Sequence, residues 1–442
     1  MAPSFTPPSG LESIRGRKDS CGVPALLVNC RPTKENHSMN LPVGKTCCRC
    51  FQAAFNIGAR FLDWRRPVVV SGPSAVRRIP ALLKRERVPR VMVVTGPTVG
   101  KKLAPKILEG LDAEGVAWTL FAEVEADPSV ATADRIRGLY LETGCQGFVA
   151  IGGGSPMDAA KAAAALVVRP DLDIRRMAGL MKVGRPLPPF IAVPTTAGSG
   201  SETSIAAVIT DGETHRKHPL LDLHLVPKYA VLDPEMTKDL PPAVTATTGM
   251  DALTHAVEAY LCWTYNTAES VRLAEEAVVG IFRFLERAYH DGGDMEARSG
   301  MLDAAHKAGF AFTRAGVGYV HAIAHALGGL YSTPHGLANA VILPIVLEDY
   351  GKAVEKKLAR LACLTGLGNE ETDAEKSRAF ISEIRAKRRR MELPAGFDFI
   401  REKDIPQIVR RTLAEANPLY PVPVVYGKTR CERVIRRIRA EA

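Results

Sequence analysis

The stretch GFVAIGGGSPMDAAK, residues 147–161, decides the fold of this chain. A short apolar run leads into three glycines and then into an alanine-rich segment with Pro156 near its start, the pattern of a buried strand, a tight turn and a helix. Glycines allow a phosphate group to approach the backbone, and the positive end of the helix dipole lies behind the turn. The stretch therefore predicts an α/β unit with a diphosphate cradle, although Met157 stands where G-x-G-x-x-G would have its last glycine. Taken alone, such a turn is also compatible with an ordinary strand-to-helix connection.

A second loop of the same kind follows at residues 191–203, IAVPTTAGSGSET. Its hydroxyls and backbone amides suit a carboxamide or phosphate oxygens, and its alternative is an ordinary loop with capping serines and threonines. From residue 68 to about 240, apolar strands alternate with helical stretches such as 75–85 and 129–143. This alternation predicts a parallel sheet covered by helices.

The alternation stops after residues 241–242, Pro-Pro, and the remainder of the chain is helical in pattern. We expect an α/β dinucleotide-binding domain over residues 66–240 and an all-α metal-binding and catalytic domain over 241–442. The active site is expected in the cleft between them. The predicted helices of the second part are 250–262, 268–289, 301–311, 320–330 and 339–350.

Metal-ligand side chains recur at helical spacing in the second part. Asp251 and His255 are four residues apart, as are His321 and His325, and His335 follows after a glycine- and proline-containing turn. One carboxylate and several imidazoles suit Fe²⁺ or Zn²⁺ better than Ca²⁺ or Mg²⁺, which prefer oxygen ligands. The alternative is a set of core histidines, and spacing alone does not decide which of the imidazoles bind.

These motifs together resemble the iron-containing, group III alcohol dehydrogenases. GGGSPMDAAK, PTTAGSGSET, the 251–255 helix and HAIAH…HGLANA occur in that family's order, and residues 416–418 are similar to its C-terminal part. The resemblance covers about residue 66 to the C-terminus. It implies a dehydroquinate synthase-like architecture and a metal-dependent, NAD(P)-linked alcohol dehydrogenase or aldehyde reductase, commonly a homodimer or larger homo-oligomer. The substrate would be a small alcohol or aldehyde.

The resemblance also implies roles for individual residues. The ion, Fe²⁺ or alternatively Zn²⁺, would polarise the substrate oxygen during hydride transfer to or from the nicotinamide. His325 would lie beside the substrate and is our candidate for the proton relay, with orientation of a metal ligand as its alternative role. Phe312 would line the substrate pocket. The metal ligands would be Asp251, His255, His321 and His335; the cofactor diphosphate would contact Gly153, Gly154, Ser155 and Asp158; and its other contacts would be Thr195, Thr196, Ser199 and Lys217.

Coenzyme preference depends on the end of the strand at residues 91–94. NAD-preferring relatives often carry an acidic residue there for the ribose diol, whereas this chain has Gly96. The glycine leaves room for a 2′-phosphate that Lys101 or Lys102 could neutralise. We therefore favour NADP(H) over NAD(H), with a turn glycine and solvated lysines as the alternative.

Composition places few further limits on function. The 442 residues carry a formal charge of +10, but the basic residues are spread along the chain without a nucleic-acid-binding motif. No apolar run reaches the length of a membrane span. We expect a cytoplasmic enzyme without nucleic-acid or membrane partners.

Residues 1–65 have no counterpart in the family and lack periodicity, so we expect a disordered extension. The extension holds five of the nine cysteines, but TCCRC at residues 46–50 does not have the spacing of a zinc module. The basic run at 387–390 is predicted as a solvated helix end. The other cysteines, predicted as reduced core thiols, are Cys145, Cys262, Cys363 and Cys431.

Two alternative functions stay open beside the dehydrogenase. One is a cyclase resembling dehydroquinate synthase, which shares the fold and uses NAD⁺ only transiently, but its metal set contains a glutamate and two histidines. The other is a non-catalytic relative retained for binding or assembly. Net consumption of cofactor separates the dehydrogenase from the cyclase, and absence of bound metal would favour the non-catalytic protein.

Overall fold

The computed structural model describes residues 44–212 and 217–441. Its strands form two sheets, one of six strands and one of three, in the orders β1-β9-β6-β4-β2-β3 and β5-β8-β7. The strands are β1 Val68–Ser71, β2 Arg90–Thr95, β3 Ala117–Phe121, β4 Gly147–Gly152, β5 Gly179–Leu180, β6 Phe190–Pro194, β7 Ala206–Thr210, β8 Lys217–Leu221 and β9 Tyr229–Leu232.

The six-stranded sheet is parallel throughout, as the sequence predicts. Every residue of β4 is buried, which explains its continuous apolar run, because parallel sheets are covered on both faces. Val149 of β4 lies between Val93 of β2 and Ile191 of β6. The strands that precede the two glycine-containing loops are therefore neighbours, and both loops lie at the same edge of the sheet.

In the described part of the chain, the α-helices before residue 178 are α1 Lys45–Ala59, α2 Ile79–Arg85, α3 Pro97–Lys102, α4 Ala104–Ala113, α5 Val130–Glu142, α6 Gly154–Val168 and α7 Ile174–Met177. Those that follow are α8 Pro242–Leu261, α9 Ala268–His290, α10 Met295–Ala315, α11 Tyr319–Tyr331, α12 His335–Tyr350, α13 Glu355–Leu364, α14 Asp373–Arg390, α15 Ile405–Ala416 and α16 Lys428–Ala440. The change from sheet to helices falls between Leu232 and Pro242, the interval that contains the predicted domain boundary.

The expectation that residues 1–65 are disordered is wrong for residues 44–65. Helix α1 buries Cys48 and Gln52 completely, and Phe55 packs against the core of the helical half. Residues 1–43, with Cys21 and Cys30, lie outside the described residues.

The prediction of a solvated helix end at residues 387–390 is wrong for its first two residues. Lys387 and Arg388 are each only 3% exposed. The ammonium group of Lys387 donates to the carbonyl of Phe282 and to Glu286, and Arg388 donates to the carbonyl of Ala395. Buried charges require such partners, and a sequence does not reveal partners a hundred positions away.

The prediction of core thiols holds for three of the four cysteines. Cys145, Cys262 and Cys431 are buried, whereas Cys363 is exposed near the end of α13. Its predicted burial is wrong because the apolar stretch around it belongs to an amphipathic helix, and position 363 falls on the outer face. Within the described part of the chain, no helix is long and apolar enough to cross a membrane.

Candidate metal and cofactor site

Three helices bring four ligand side chains together. Asp251 and His255 lie on α8, His321 on α11, and His335 is the first residue of α12. One ligand atom from each of the four lies within 4.8 Å of all the others. The connection between α11 and α12 turns at Ser332, whose φ of 55° is left-handed, and this turn brings His335 back toward the cluster.

His325 lies beside this cluster rather than in it. Its ring stacks on that of His335 at a centroid distance of 5.0 Å and is 6.2 Å from the ring of His321. Its Nδ1 lies 2.7 Å from Oε1 of Glu415. The structure thus separates His325 from the four ligand candidates, a distinction that helical spacing alone does not make.

The donor set fits a divalent transition metal. Burial is the main cause that lowers the pKa of His255, holds the pKa of His321 well below its usual range and lowers the pKa of His335 to about 4. The three imidazoles are therefore neutral at pH 7, which is the form that binds metal. Nδ1 of His255 is buried without a hydrogen-bond partner among the described residues, whereas such atoms are normally satisfied.

Asp251 supplies the single carboxylate of the cluster and is itself held in place. Nδ2 of Asn339, on α12, donates to Oδ1 of Asp251 at 2.7 Å. The same amide nitrogen is 3.3 Å from Nε2 of His321 and 3.2 Å from Nε2 of His335. One anionic oxygen and neutral imidazole nitrogens form a set that suits Fe²⁺ or Zn²⁺.

Glu258 is a candidate functional residue that the sequence reasoning missed. Its Oε2 lies 2.6 Å from Nδ1 of His321, and its carboxylate also accepts hydrogen bonds from the backbone amides of Gly318 and Val320. Burial raises its pKa to about 7, and hydrogen bonds from the backbone amides of Gly318, Val320 and His321 oppose that rise. A carboxylate on the outer nitrogen of a ligating histidine fixes the ring and its tautomer. The available signal was its position on α8, one turn after His255.

A second carboxylate orients His325. Oε1 of Glu415 accepts a hydrogen bond from the hydroxyl of Tyr420 at 2.8 Å in addition to its contact with His325. Burial alone would lower the pKa of His325, but the charge and hydrogen bond of Glu415 outweigh burial and raise it. His325 is therefore held more basic than the imidazoles of the cluster.

The predicted pocket residue lies against the cluster. The ring of Phe312, on α10, stacks on that of His255 at 4.3 Å. One turn earlier, α10 touches the second loop, because a Cβ on Gly200 would lie 2.6 Å from Cα of Gly309. Gly200 has a φ of +61°, so a side chain would be strained there as well as obstructed. This close approach brings the second loop to the four candidate metal ligands.

The two predicted cofactor loops lie side by side. A Cβ on Gly153 would be 3.2 Å from Oγ1 of Thr196, and one on Gly154 would be 3.3 Å from Cβ of Ser199. Gly153 is the extended residue before α6, and Ser155 lies in the first turn of that helix. Thr195 ends the run of buried residues in the second loop's strand. The structure thus groups six of the predicted cofactor residues around the start of α6.

Asp158, in the first turns of α6, accepts hydrogen bonds from neighbouring segments. One of its oxygens accepts from Oγ of Ser201 at 2.7 Å and the other from the amide of Val208 at 3.0 Å. Burial raises its pKa, and the nearby ammonium of Lys161 opposes that rise. One oxygen thus joins α6 to the second loop, and the other joins α6 to strand β7.

Lys161 was not singled out from the sequence. It is completely buried, and its Nζ donates to the carbonyls of Ser204 and Ala206 and to the hydroxyl of Ser204. Burial lowers its pKa to about 8. In the sequence, Lys161 could have been noticed as a lysine within an alanine-rich helix. Its hydrogen bonds hold the segment that follows the second loop.

The remaining predicted cofactor residues are Lys217 and Gly96. Lys217 pairs with Asp127 at 2.6 Å, and its charge contributes to lowering the pKa of His335. Gly96 precedes α3, and a Cβ there would lie 3.1 Å from the carbonyl oxygen of Val124. Packing is therefore a second reason for glycine at position 96. Lys101 and Lys102 are on α3, with their side chains exposed.

Comparisons with known proteins identify relatives of this chain in sequence and in fold. The family model described as iron-containing alcohol dehydrogenase matches residues 67–234, and the model of the C-terminal part of the same family matches residues 245–437. Lactaldehyde reductase of Escherichia coli is 33% identical over 77% of this chain and 90% of its own length. A crystal structure of 1,3-propanediol oxidoreductase has a TM-score of 0.82 and 31% identity, covering 86% of this chain and all of that one.

Two further relatives are named with different coenzymes. The NAD-dependent methanol dehydrogenase of Bacillus methanolicus is 32% identical over 79% of this chain and 92% of its own length. The NADPH-dependent butanol dehydrogenase of Clostridium saccharobutylicum is 35% identical over 71% of this chain and 80% of its own length. Relatives of similar identity are thus named with either coenzyme.

Proposed function

The chain belongs to the iron-containing alcohol dehydrogenase family, and from that premise we propose how its own residues interconvert a small alcohol and its aldehyde with a nicotinamide cofactor. The proposal rests on one observation above all: four ligand atoms of Asp251, His255, His321 and His335 lie within 4.8 Å of one another, next to the paired glycine-containing loops. A divalent ion held by these residues would supply Lewis-acid polarisation of the substrate oxygen, and the nicotinamide would supply or accept the hydride.

The protein's own residues orient the proposed metal ligands and move a proton. Glu258 holds the ring of His321, and Asn339 holds Asp251. Nδ1 of His325 is engaged by Glu415, which leaves Nε2 to exchange the proton of the substrate hydroxyl. Phe312 provides an apolar surface beside the cluster.

The cofactor is proposed to lie across the start of α6. The amides of the first turn and the lack of side chains at Gly153 and Gly154 suit its diphosphate, while Thr196 and Ser199 supply hydroxyls beside them. In this proposal Asp158 acts indirectly, through Ser201 and Val208. Lys217 is proposed to supply positive charge near the cofactor.

Turnover with added metal tests the proposal. Protein prepared anaerobically and loaded with Fe²⁺ or Zn²⁺ is expected to oxidise a reduced nicotinamide cofactor in the presence of short aldehydes. The His335→Ala variant should lose turnover and metal together, whereas His290→Ala, an exposed residue on α9, should keep both. Stoichiometric metal without net cofactor consumption would contradict the dehydrogenase and favour the cyclase.

NADP(H) is proposed as the preferred coenzyme and Fe²⁺ as the preferred ion. Gly96 offers no carboxylate to a ribose diol, and Lys101 and Lys102 are exposed on the helix that follows. Replacing both lysines by alanine is expected to raise the KM for NADPH more than that for NADH, while Lys352→Ala, exposed in the helical half, should change neither. Equal effects on both coenzymes would contradict the preference.

A homodimer or larger assembly in the cytoplasm is likewise proposed. β1 is an edge strand of the six-stranded sheet, with Val68 and Val69 each about half exposed. Among the described residues no strand pairs with the outer edge of β1, and exposed apolar residues on such an edge favour contact with another chain. Light scattering coupled to size-exclusion chromatography measures the mass, and a monomer at micromolar concentration would contradict this part of the proposal.

A further inference from the structure

Side chains donate to five of the six carbonyls in the loop at residues 418–423, PLYPVP, while backbone bonds within and beside it include Val422 N to the carbonyl of Tyr420 at 2.9 Å and Tyr420 N to that of Ala416 at 2.7 Å. Three of its six residues are prolines, which donate no backbone hydrogen bond and prevent regular pairing. Nevertheless each of its six carbonyls accepts a hydrogen bond. The carbonyl of Leu419 accepts from the hydroxyl of Tyr265 at 3.0 Å and that of Pro421 from the amide of Trp263 at 2.7 Å.

The other four carbonyls are bound by helix α1. Nε2 of Gln52 donates to the carbonyls of Pro418 and Tyr420 at 3.0 and 2.7 Å. The two terminal nitrogens of Arg49 donate to the carbonyls of Val422 and Pro423, each at 2.8 Å. These donors come from residues that precede both segments matched by the family models, 67–234 and 245–437.

Arg49 and Gln52 are held firmly enough to act as fixed donors. Gln52 is completely buried, and its Oε1 accepts a hydrogen bond from Arg49 at 2.9 Å. The guanidinium of Arg49 also lies 4.5 Å from the centre of the Trp263 ring. The adjacent Cys48 is buried in the core of the helical half. The two side chains therefore form one rigid unit with that core.

The loop connects this unit to the site. The hydroxyl of Tyr420 donates to Glu415 at 2.8 Å, and the same carboxylate oxygen lies 2.7 Å from Nδ1 of His325. A hydrogen-bonded path thus runs from Gln52 through the backbone and hydroxyl of Tyr420 to Glu415 and His325. Displacement of the loop would move the hydroxyl and release the carboxylate.

We propose that Gln52 and Arg49 are positioning residues for the reaction, which set the orientation of His325 by holding the 418–423 loop. The inference rests on the proposed function, because it assigns to α1 a role in the proton step of that reaction. Neither side chain touches the metal cluster. Their effect is transmitted through Tyr420 and Glu415, and it should appear in turnover rather than in binding.

A double-mutant cycle tests the path. Gln52→Met keeps the volume of the side chain but removes both donors, and it is expected to lower kcat roughly tenfold, since small displacements of a reacting group have effects of this size or larger. The KM for aldehyde and the bound metal should stay near the wild-type values. Tyr420→Phe should lower kcat as well, and the double variant should be no slower than the slower single variant.

Hydrogen exchange measured by mass spectrometry separates failure of this inference from failure of the proposed function. In metal-free full-length protein, the peptide spanning 415–426 should exchange faster in Gln52→Met than in wild type. Ile57→Ala, a change on the same helix at a residue 61% exposed, should match wild type in both exchange and kcat.

Faster exchange together with a non-additive loss of kcat supports the inference. Additive losses, an unchanged kcat or a change confined to KM would overturn it. If the wild type itself shows no turnover, the proposed function fails, and the exchange data then test only whether Gln52 holds the loop. Unchanged exchange in Gln52→Met would overturn that role of Gln52, and faster exchange would support it.

Discussion

At the scale of single residues, the proposed metal site is expected to depend on Glu258, which is not one of its four candidate ligands. Its carboxylate binds Nδ1 of His321 and two backbone amides. Glu258→Gln keeps the shape but removes the charge that favours the required tautomer of His321. We expect metal affinity to fall by about 10- to 100-fold, the usual effect of losing such a partner. Competition with a chelator, followed by metal analysis of the protein, measures the change.

The matched control for that prediction is Glu109→Gln, which removes an exposed carboxylate on α4. It should bind metal as the wild type does. Wild-type affinity in Glu258→Gln would show that the backbone amides alone suffice to orient this side chain and that its charge has no effect on the ion.

A second residue-scale prediction concerns the contact between α10 and the second loop. A Cβ on Gly309 would lie 2.5 Å from Cγ2 of Thr203 and 2.9 Å from Cα of Gly200. Because backbone lies within that distance, Gly309→Ala cannot be accommodated by rotation of a side chain alone. We expect a loss of stability of about 1–3 kcal/mol, typical of overpacking, and weaker cofactor binding.

Thermal unfolding and titration of cofactor fluorescence measure the two effects. The control is Gly138→Ala on α5, where a Cβ would meet nothing within 4 Å. That change should leave stability equal or slightly higher, because alanine favours a helix. A stable Gly309→Ala variant with normal cofactor affinity would contradict the prediction.

Sequence reasoning at the residue scale succeeded where side chains share a helix and failed where they meet across elements. Asp251 and His255 are one turn apart, so their pairing could be predicted from spacing. Glu415 lies ninety positions from His325, and no local pattern relates them. The same reason hid Glu258, whose partner His321 belongs to another helix.

At the scale of secondary-structure elements, the basic end of α14 is held by an acidic residue of α9. Glu286 accepts hydrogen bonds from Lys387 at 3.2 Å and from Arg390 at 2.6 Å. Burial opposes ionisation of Glu286, but these two cations outweigh it and lower its pKa below the usual value of 4.5. Its ionised form therefore stabilises the folded protein.

Glu286→Gln should destabilise the protein at neutral pH by about 1–3 kcal/mol, because buried Lys387 loses an ionised partner. The sign of the pH dependence follows from the lowered pKa. The stabilisation is complete above the unfolded-state pKa and is lost as the pH falls through the folded-state pKa, so the difference from wild type should shrink below about pH 4.5. Melting temperatures measured from pH 3 to 7 check this.

Glu142→Gln, an exposed change at the end of α5, serves as the control and should follow the wild type at every pH. A difference for Glu286→Gln that stays constant into the acid range would mean that the charge of Glu286 is not responsible. Helix packing around Phe282 would then explain the loss of stability.

Elements with a strong pattern were predicted and those with a mixed pattern were not. The apolar run of β4 and the glycines after it indicated a parallel strand followed by a helix, as observed. The three-stranded sheet was not predicted, because β8, KHPLL, contains Pro219 and two polar residues. Helix α1 escaped because part of its inner face is Gln52, which is buried only through contacts with a loop at the other end of the chain.

At the scale of the whole molecule, the metal cluster joins elements that are distant in sequence. Its ligands come from α8, α11 and α12, so a bound ion would connect three helices of the core. An ion that binds the folded protein and not the unfolded chain stabilises the fold by about 2.7 kcal/mol when its free concentration is a hundred times Kd. We expect Zn²⁺ or Fe²⁺ to raise the melting temperature.

His335→Ala distinguishes stabilisation through the site from general effects of the ion. His335 is the first residue of α12, so its replacement by alanine does not interrupt the helix. The metal-free variant should melt near the wild-type temperature but gain little from Zn²⁺. Mg²⁺ should stabilise neither protein, because imidazoles are poor ligands for it. Equal stabilisation by Mg²⁺ and Zn²⁺, or a full Zn²⁺ effect in His335→Ala, would show that the ion acts elsewhere on the protein.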